Sequence, residues 1–94
     1  MIAFRVMISG TGVLMRTNDE DRPVSFVRNE YVLAKDRNEA FEAAKKKTYS
    51  RLSSNKGVIL PATGLPELKL EEIEENVPLW KLTSDESFIF YDPI

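Results

Sequence analysis

The chain has 94 residues, of which 43% are hydrophobic and 30% are charged, and its formal net charge is −2. This length leaves room for one hydrophobic core, and the composition is too apolar for a disordered chain, so we expect a single domain over residues 1–94. The absence of cysteine and histidine excludes disulfides, thiolate chemistry and every mechanism that needs a histidine base.

The first predicted element is a strand with one buried face. From residue 2 to residue 8, strongly apolar side chains occupy every second position: Ile2, Phe4, Val6 and Ile8. This two-residue period predicts a strand. Gly10-Thr11-Gly12 interrupts the alternation before a second apolar stretch at residues 13–15, which indicates a bulge or bend that continues the strand.

A hairpin loop and a second strand follow. Residues 17–23 are polar and end in Pro23, a composition that is typical of an exposed loop. Val24 to Lys35 is rich in β-branched and aromatic residues and predicts strand two. Its middle, Arg28-Asn29-Glu30, is expected to interrupt the strand.

A helix is predicted over residues 37–54. Asp36, followed three residues later by Glu39, fits an N-cap whose carboxylate accepts hydrogen bonds from the first-turn amides. One stripe of the helical wheel collects the side chains that should pack on the sheet: Ala40, Phe41, Ala44, Thr48 and Leu52. Asn55 or Gly57 is expected to end the helix in the left-handed conformation.

Three further strands are predicted after a turn-rich connector at residues 58–66. Leu68 to Glu71 alternates like a strand, although the glutamate run to Glu75 would also suit a short helix. Residues 77–82 and 87–91 read as two more short strands. The order β-β-α-β-β-β predicts a two-layer α+β sandwich, in which one helix covers one face of an antiparallel sheet of four to five strands.

The sequence also bears on location and charge. Arg5 lies inside the apolar amino-terminal stretch, and no run approaches the ~20 apolar residues of a membrane span, so we expect a cytoplasmic protein that does not contact membranes. Residues 1–56 hold eleven basic and seven acidic side chains, whereas residues 57–94 hold two and eight. Such asymmetry is typical of two faces that meet within the fold, or of an acidic surface offered to a partner.

Three short motifs have both a functional and a structural interpretation. The carboxylates of residues 71–75 could serve an enzyme or a hard cation, but a glutamate run is typical of a solvated face. Residues 18–21 match a calcium loop only in part. Gly10-x-Gly12 matches the start of a dinucleotide-binding motif, but Met15 occupies its third glycine position. The sequence therefore predicts no catalytic residue, no metal ligand and no cofactor.

A lysine triplet at residues 45–47, with Arg51 and Lys56, favours nucleic acid as an alternative partner, because phosphate binding needs clustered cations. Three more cations could extend this patch onto the sheet: Arg5, Arg28 and Lys35. Against this hypothesis, consecutive helical residues point about 100° apart, and the chain as a whole is acidic. We therefore expect nucleic-acid binding to be the less favoured alternative.

The last predicted strand suggests an interface. Phe88-Ile89-Phe90-Tyr91 is apolar at every position, although the sheet face away from the helix should meet water. Either the connector and Trp80 cover that face, or a second subunit or partner protein does. The candidate interface residues are Met7, Tyr31, Trp80, Phe88, Phe90 and Tyr91. The preferred function is a small non-enzymatic interaction or regulatory module, which acts on a partner protein or as a homodimer.

Overall fold

The computed structural model describes residues 1–16, 20–60 and 66–91, which form one antiparallel sheet with an α-helix packed on one face. The elements, in chain order, are β1 (Ile2–Arg16), β2 (Asp21–Ala34), α1 (Arg37–Ser54), β3 (Val58–Ile59), β4 (Leu68–Glu75), a 3₁₀ turn (Leu79–Thr83) and β5 (Ile89–Tyr91). The predicted two-layer α+β architecture in the order β-β-α-β-β-β is confirmed. In the described part of the chain, no helix is long and apolar enough to cross a membrane.

A long hairpin of β1 and β2 forms the centre of the sheet. The two strands pair from Ile2 opposite Ala34 to Arg16 opposite Asp21. The predicted loop is therefore too long, since Pro23 pairs within β2; residues 17–19 of that loop lie outside the described residues. β5 pairs with the edge of β2 that faces away from β1. β4 and β3 pair with the edge of β1 that faces away from β2, β4 along residues 4–10 and β3 at residues 14 and 15.

The predicted bulge in β1 is present. The register with β2 shifts between Gly10 and Val13, and Gly12 has φ of 83°, a conformation that favours glycine. Gly10 is required for another reason, because a Cβ atom there would lie 2.4 Å from the ring of Phe26. The motif at residues 10–12 therefore serves strand geometry.

Residues 28–30 do not interrupt β2, contrary to the prediction, and lie within the continuous strand. Arg28 and Glu30 are two positions apart, so both project from the same face of the sheet, the one that α1 covers. They are accommodated there because they pair with each other. Polar composition alone did not indicate this buried arrangement.

The beginning of α1 matches the prediction. Asp36 Oδ1 accepts a hydrogen bond from the Glu39 N–H at 2.9 Å, and Glu39 Oε1 accepts one from the Lys35 N–H at 3.3 Å. Four residues of the predicted apolar stripe are buried: Ala40, Ala44, Thr48 and Leu52. Phe41, the fifth, is half-buried against the same core. The stripe therefore forms the contact between helix and sheet.

The end of α1 differs from the prediction. Asn55 is extended, with φ of −84° and ψ of 113°, and its N–H bonds to the carbonyl of Leu52 at 3.2 Å. The Asn55 side chain accepts a hydrogen bond from the Gly57 N–H at 3.0 Å. Since this side-chain bond closes the turn, no left-handed residue is needed.

After the helix, the predicted elements are partly corrected. Residues 58 and 59 of the connector form the short strand β3, and residues 61–65 lie outside the described residues. β4 is a strand to Glu75, which excludes the helical alternative. The strand predicted at residues 77–82 is wrong, because Asn76, with φ of 58°, redirects the chain and Pro78 leads into the 3₁₀ turn. β5 confirms the predicted last strand.

The core lies between α1 and the sheet. Its first cluster joins the alternate apolar residues of β1 to the helix, namely Phe4, Val6, Ile8, Val32, Ala34, Ala40 and Ala44. A second cluster packs Leu52 against Val13, Val24 and Phe26 near the bulge. The sheet face opposite α1, called the outer face below, carries the intervening side chains of each strand.

Candidate functional site

The outer face is covered at one end by the chain that follows β4. Val77 lies in a buried cluster with Ala3 and Tyr31, and Leu82 of the 3₁₀ turn packs on this cluster. Lys81 Nζ lies 5.8 Å from the centre of the Tyr31 ring. The cover thus comes from residues 77–83.

The predicted connector does not provide this cover in the part that the structure describes. Val58 and Leu60 pack against the cluster around Phe26, on the helix side of the sheet. Trp80 is 67% exposed. The rest of the outer face is therefore open as far as the described residues extend.

The open part of the outer face carries an apolar patch, called the outer patch, which comprises Met7, Val27, Ile89 and Tyr91. Ile89 pairs with Val27 across the β2–β5 ladder, and Met7, Val27 and Ile89 line a shared depression of about 50 Å³. Ile89 is 64% exposed and Tyr91 is 46% exposed. The patch is therefore continuous across β1, β2 and β5.

Four of the six candidate interface residues lie on or beside the outer face. Met7 and Tyr91 belong to the outer patch. Tyr31 lies on the same face beneath the 3₁₀ turn and is only 5% exposed. Trp80 lies on that turn, with Lys81 Nζ 4.7 Å from the centre of its ring.

The other two candidates, Phe88 and Phe90, lie on the helix side. Their ring centres are 5.2 and 6.2 Å from that of Phe26, in edge-to-face arrangements. They anchor β5 to the core, and it is Ile89 that lies outside. The predicted interface omitted Val27 and Ile89. The alternation of β5 allows either Phe88 and Phe90 or Ile89 and Tyr91 to lie on the outer face, so Ile89 belonged to one of the two possible sets.

Carboxylates flank the outer patch, and Glu72, Glu74 and Glu86 are called the acidic rim. Glu72 lies opposite Met7 on β4. Arg5, with a side chain 16% exposed, donates to both Glu72 and Glu74, whose side chains are 58% and 56% exposed. An approaching partner therefore meets the carboxylates before the guanidinium.

Glu86 approaches the patch from the other side. It accepts hydrogen bonds from the hydroxyl of Tyr31 and from Asn29 Nδ2, and it lines the same depression as Ile89. The hydrogen bond from Tyr31 lowers the pKa of Glu86. Burial, followed by that bond, raises the pKa of Tyr31 to about 12.

The remaining glutamates of β4 are also engaged. Ser9 donates to Glu71 at 2.7 Å, and Arg37 donates to Glu75 at 2.8 Å. Among the described residues, no group of three or more acidic side chains is placed to hold a metal ion. The glutamate run thus serves ion pairs and hydrogen bonds across the edge of the sheet.

A buried ion-pair network ties β2 to α1. Arg28 Nε lies 2.7 Å from Glu30 Oε2, and both side chains are 3% exposed. Thr48 donates to the same carboxylate oxygen at 3.1 Å, and Arg51 Nε lies 4.0 Å from the other oxygen. Within the described residues, every buried polar side-chain atom has a hydrogen-bond partner. This arrangement supports a structural role for the network.

The network continues to the segment before β5. Arg28 Nη2 and Arg51 Nη1 lie 3.0 and 3.1 Å from the same oxygen of Asp85. Arg28 also donates to the Glu86 carbonyl and lies 4.7 Å from the centre of the Phe88 ring. The hydrogen bond from Arg28 lowers the pKa of Asp85. The last strand is therefore held by both charge and aromatic packing.

The cations proposed for nucleic acid do not form one surface. Arg5 lies on the outer face, whereas Arg28 is buried beneath α1. Lys45 pairs with Glu42 at 2.8 Å, while Lys46 and Lys47 border a groove beside Arg51. Arg5 and Arg28 therefore do not extend the exposed surface of the helix lysines.

No family model matches the chain, and neither the curated proteins nor the solved structures gave a significant match. The outer patch and the polar groups around it are therefore the basis for a functional proposal.

Proposed function

We propose that this protein is a non-enzymatic interaction module that binds a partner protein through the outer patch. The observation that carries the proposal is the exposure of Ile89 and Tyr91, 64% and 46%, beside Met7 and Val27 on a regular sheet surface. Contiguous apolar surface with a polar border is typical of protein interfaces. Burying it against a partner would be favoured at about 25 cal/mol per Å².

The acidic rim indicates the chemistry of the partner. Glu72, Glu74 and Glu86 border the patch, and Arg5 lies beneath two of them. Two lysines also belong to this side of the sheet: Lys81 lies 5.8 Å from the centre of the Tyr31 ring at the covered end, and Lys69 lies opposite Ser9 on β1. Complementary charges favour a partner with an apolar centre and basic flanks. A second copy of this chain would instead bring the same carboxylates to the interface.

Other functions have weaker support. Carboxylate-dependent catalysis would need unengaged acids, whereas Glu71, Glu72, Glu74 and Glu75 bond to neighbouring side chains. A nucleic-acid surface would need the strand arginines beside the helix lysines. The cytoplasmic location stays a prediction.

The experiment compares the chain with a patch variant, Ile89→Ser/Tyr91→Ser, and a matched control, Leu33→Ser. Leu33 lies opposite Ala3 on the same sheet face, is 45% exposed and is outside the patch. Proteins captured from cells by all three forms are identified by mass spectrometry, purified and titrated against each form. We expect one basic protein to bind the wild type and the control, and to lose at least tenfold in affinity for the patch variant.

Equal binding by the patch variant and the control would refute the role of the patch. Light scattering across a range of concentrations tests the homodimer. A dimer that the patch variant abolishes would replace the basic partner with a second copy of the chain.

A further inference from the structure

The second half of α1 presents a polar face that is separate from the outer patch. An open groove of about 590 Å³ runs along it, and the described residues that line it are polar or charged: Lys46, Lys47, Ser50, Arg51, Ser54 and Asn55. This volume is in the range that holds small-molecule ligands, about 300–1,000 Å³. All of the described lining belongs to α1 and its cap residue Asn55, so the cations lie along one side of the groove.

Positive charge is in excess around this groove. Four cations, namely Arg28, Lys46, Lys47 and Arg51, lie in or against the groove and the network below it. The carboxylates that compensate them are Glu30 and Asp85. Among the described residues, these cations therefore outnumber the carboxylates paired with them by two, in a chain whose net charge is −2.

The helix dipole does not account for all of these cations. Cations stabilise a helix C-terminus, but the effect falls off within the last turn. Arg51 lies in the last turn, whereas Lys46 and Lys47 lie about two turns before the end at Ser54. Lys47 Nζ donates to the Tyr31 carbonyl at 3.0 Å, which ties it to β2. The position of Lys46 therefore needs a separate explanation.

Asp85 already shows how this region binds an anion. Asp85 Oδ1 lies 3.0 Å from Arg28 Nη2 and 3.1 Å from Arg51 Nη1, although the Asp85 side chain is 63% exposed. Arg51 is also 38% exposed, so its guanidinium is accessible to an anion from solvent. Asp85 would compete with that anion for Arg51.

We propose that the groove binds a small phosphate-bearing molecule, with the phosphate held by Lys46, Lys47 and Arg51. Cations are the groups that recognise phosphate, and the Ser50 hydroxyl can add a neutral donor. A phosphate monoester of nucleotide size fits the groove volume. An extended nucleic acid fits less well, because Arg5 lies on the outer face and Arg28 is buried.

The test is a thermal-unfolding titration with inorganic phosphate, adenosine monophosphate and a 12-nucleotide single-stranded DNA, each at constant ionic strength set with sodium chloride. We expect adenosine monophosphate to raise the Tm in a saturable way, since binding to the folded state stabilises it. Inorganic phosphate should act at higher concentration if the rest of the ligand contributes contacts. Equal potency of inorganic phosphate and adenosine monophosphate would assign the site to free phosphate.

Three variants make the test specific. Lys46→Gln should weaken binding at least fivefold, while Lys45→Gln removes one charge from the same helix outside the groove and should leave binding unchanged. Asp85→Asn removes the competing carboxylate and should tighten binding about threefold.

A Tm that responds equally to chloride and to the phosphate compounds would overturn the proposal. So would identical binding by the Lys46→Gln and Lys45→Gln variants. Tighter binding of the DNA, with strong salt dependence, would replace the small ligand with nucleic acid.

Discussion

Arg28 and Glu30, two residues apart on β2, form an ion pair with an Nε to Oε2 distance of 2.7 Å beneath the helix. Each side chain is 3% exposed. Removing one partner of a buried pair is costly, because the other charge is left in a poorly solvated place. This pair makes the contact between β2 and α1 dependent on both residues.

We predict that Glu30→Leu lowers the free energy of unfolding by about 3–5 kcal/mol, because Arg28 and Thr48 lose a buried acceptor. Urea denaturation measures the change. The double variant Arg28→Met/Glu30→Leu should be more stable than Glu30→Leu, since it removes both buried charges together. It should stay below the wild type, because the Arg28 contacts with Asp85 and Phe88 are lost. A double variant less stable than Glu30→Leu would contradict the prediction.

We predict that Gly10→Ala lowers the free energy of unfolding by about 1–3 kcal/mol, because the new methyl group overlaps Phe26, which is fully buried. Gly12→Ala is the matched control. Its cost of about 1 kcal/mol comes from the backbone, since nothing lies near a Cβ there and φ is 83°. Phe26→Leu should reduce the cost of Gly10→Ala and leave that of Gly12→Ala unchanged, as double-mutant cycles in urea will measure.

We predict a loss of stability at alkaline pH that depends on Tyr31. Its pKa is raised from 10.0 to about 12, so the folded state holds the phenolic proton more tightly than the unfolded chain. The stabilisation is complete below pH 10 and is lost as the pH rises to about 12, with a magnitude of about 2 kcal/mol. Urea denaturation between pH 9 and pH 12 should show this decline in the wild type.

The Tyr31→Phe variant has no phenolic proton and provides the control. Its stability should fall less over the same range. Tyrosinate absorbance of the wild type should show one tyrosine that titrates near pH 12. An equal decline in both proteins would rule out the Tyr31 contribution.

We predict that acid weakens the attachment of β5 before it unfolds the sheet. Hydrogen bonds from Arg28 and Tyr31 lower the pKa values of Asp85 and Glu86 below their ordinary 3.8 and 4.5. The stabilisation from each carboxylate is thus present above its ordinary pKa and is lost as the pH falls through the lowered value.

Amide hydrogen exchange in residues 89–91, measured between pH 6 and pH 3 and corrected for intrinsic rates, should reveal this opening. Glu86→Gln should reduce the pH dependence, whereas Glu67→Gln changes an exposed glutamate outside this network and should not. Protection of β5 that stays constant to pH 3 would contradict the role of these carboxylates.

Local patterns were enough to predict much of the fold. The alternation of β1, the Asp36 cap and the stripe of α1 each depend on neighbours in the sequence, and each is present. The segment at residues 77–82 was harder, because its composition suits a strand while the conformation of Asn76 redirects the chain.

The candidate site was predicted less completely, because its geometry depends on long-range pairing. Phe88 and Ile89 are both apolar, so only the pairing of Phe90 with Phe26 decides which side chains lie outside. Arg28-Asn29-Glu30 was predicted to interrupt β2. The two-residue spacing of Arg28 and Glu30 within a strand was the signal that could have placed them on one face.

The position of β5 also has a kinetic consequence. The β1–β2 hairpin and α1 form from residues close in the chain, whereas the Phe26–Phe90 and Arg28–Asp85 contacts join distant segments. Closing such a large loop costs entropy that is recovered only when those contacts form. The β1–β4 pairing also joins distant segments. We therefore expect the hairpin and helix to fold first and β4 and β5 to dock later, so that an incompletely synthesised chain exposes the edge of β2 and the ring of Phe26.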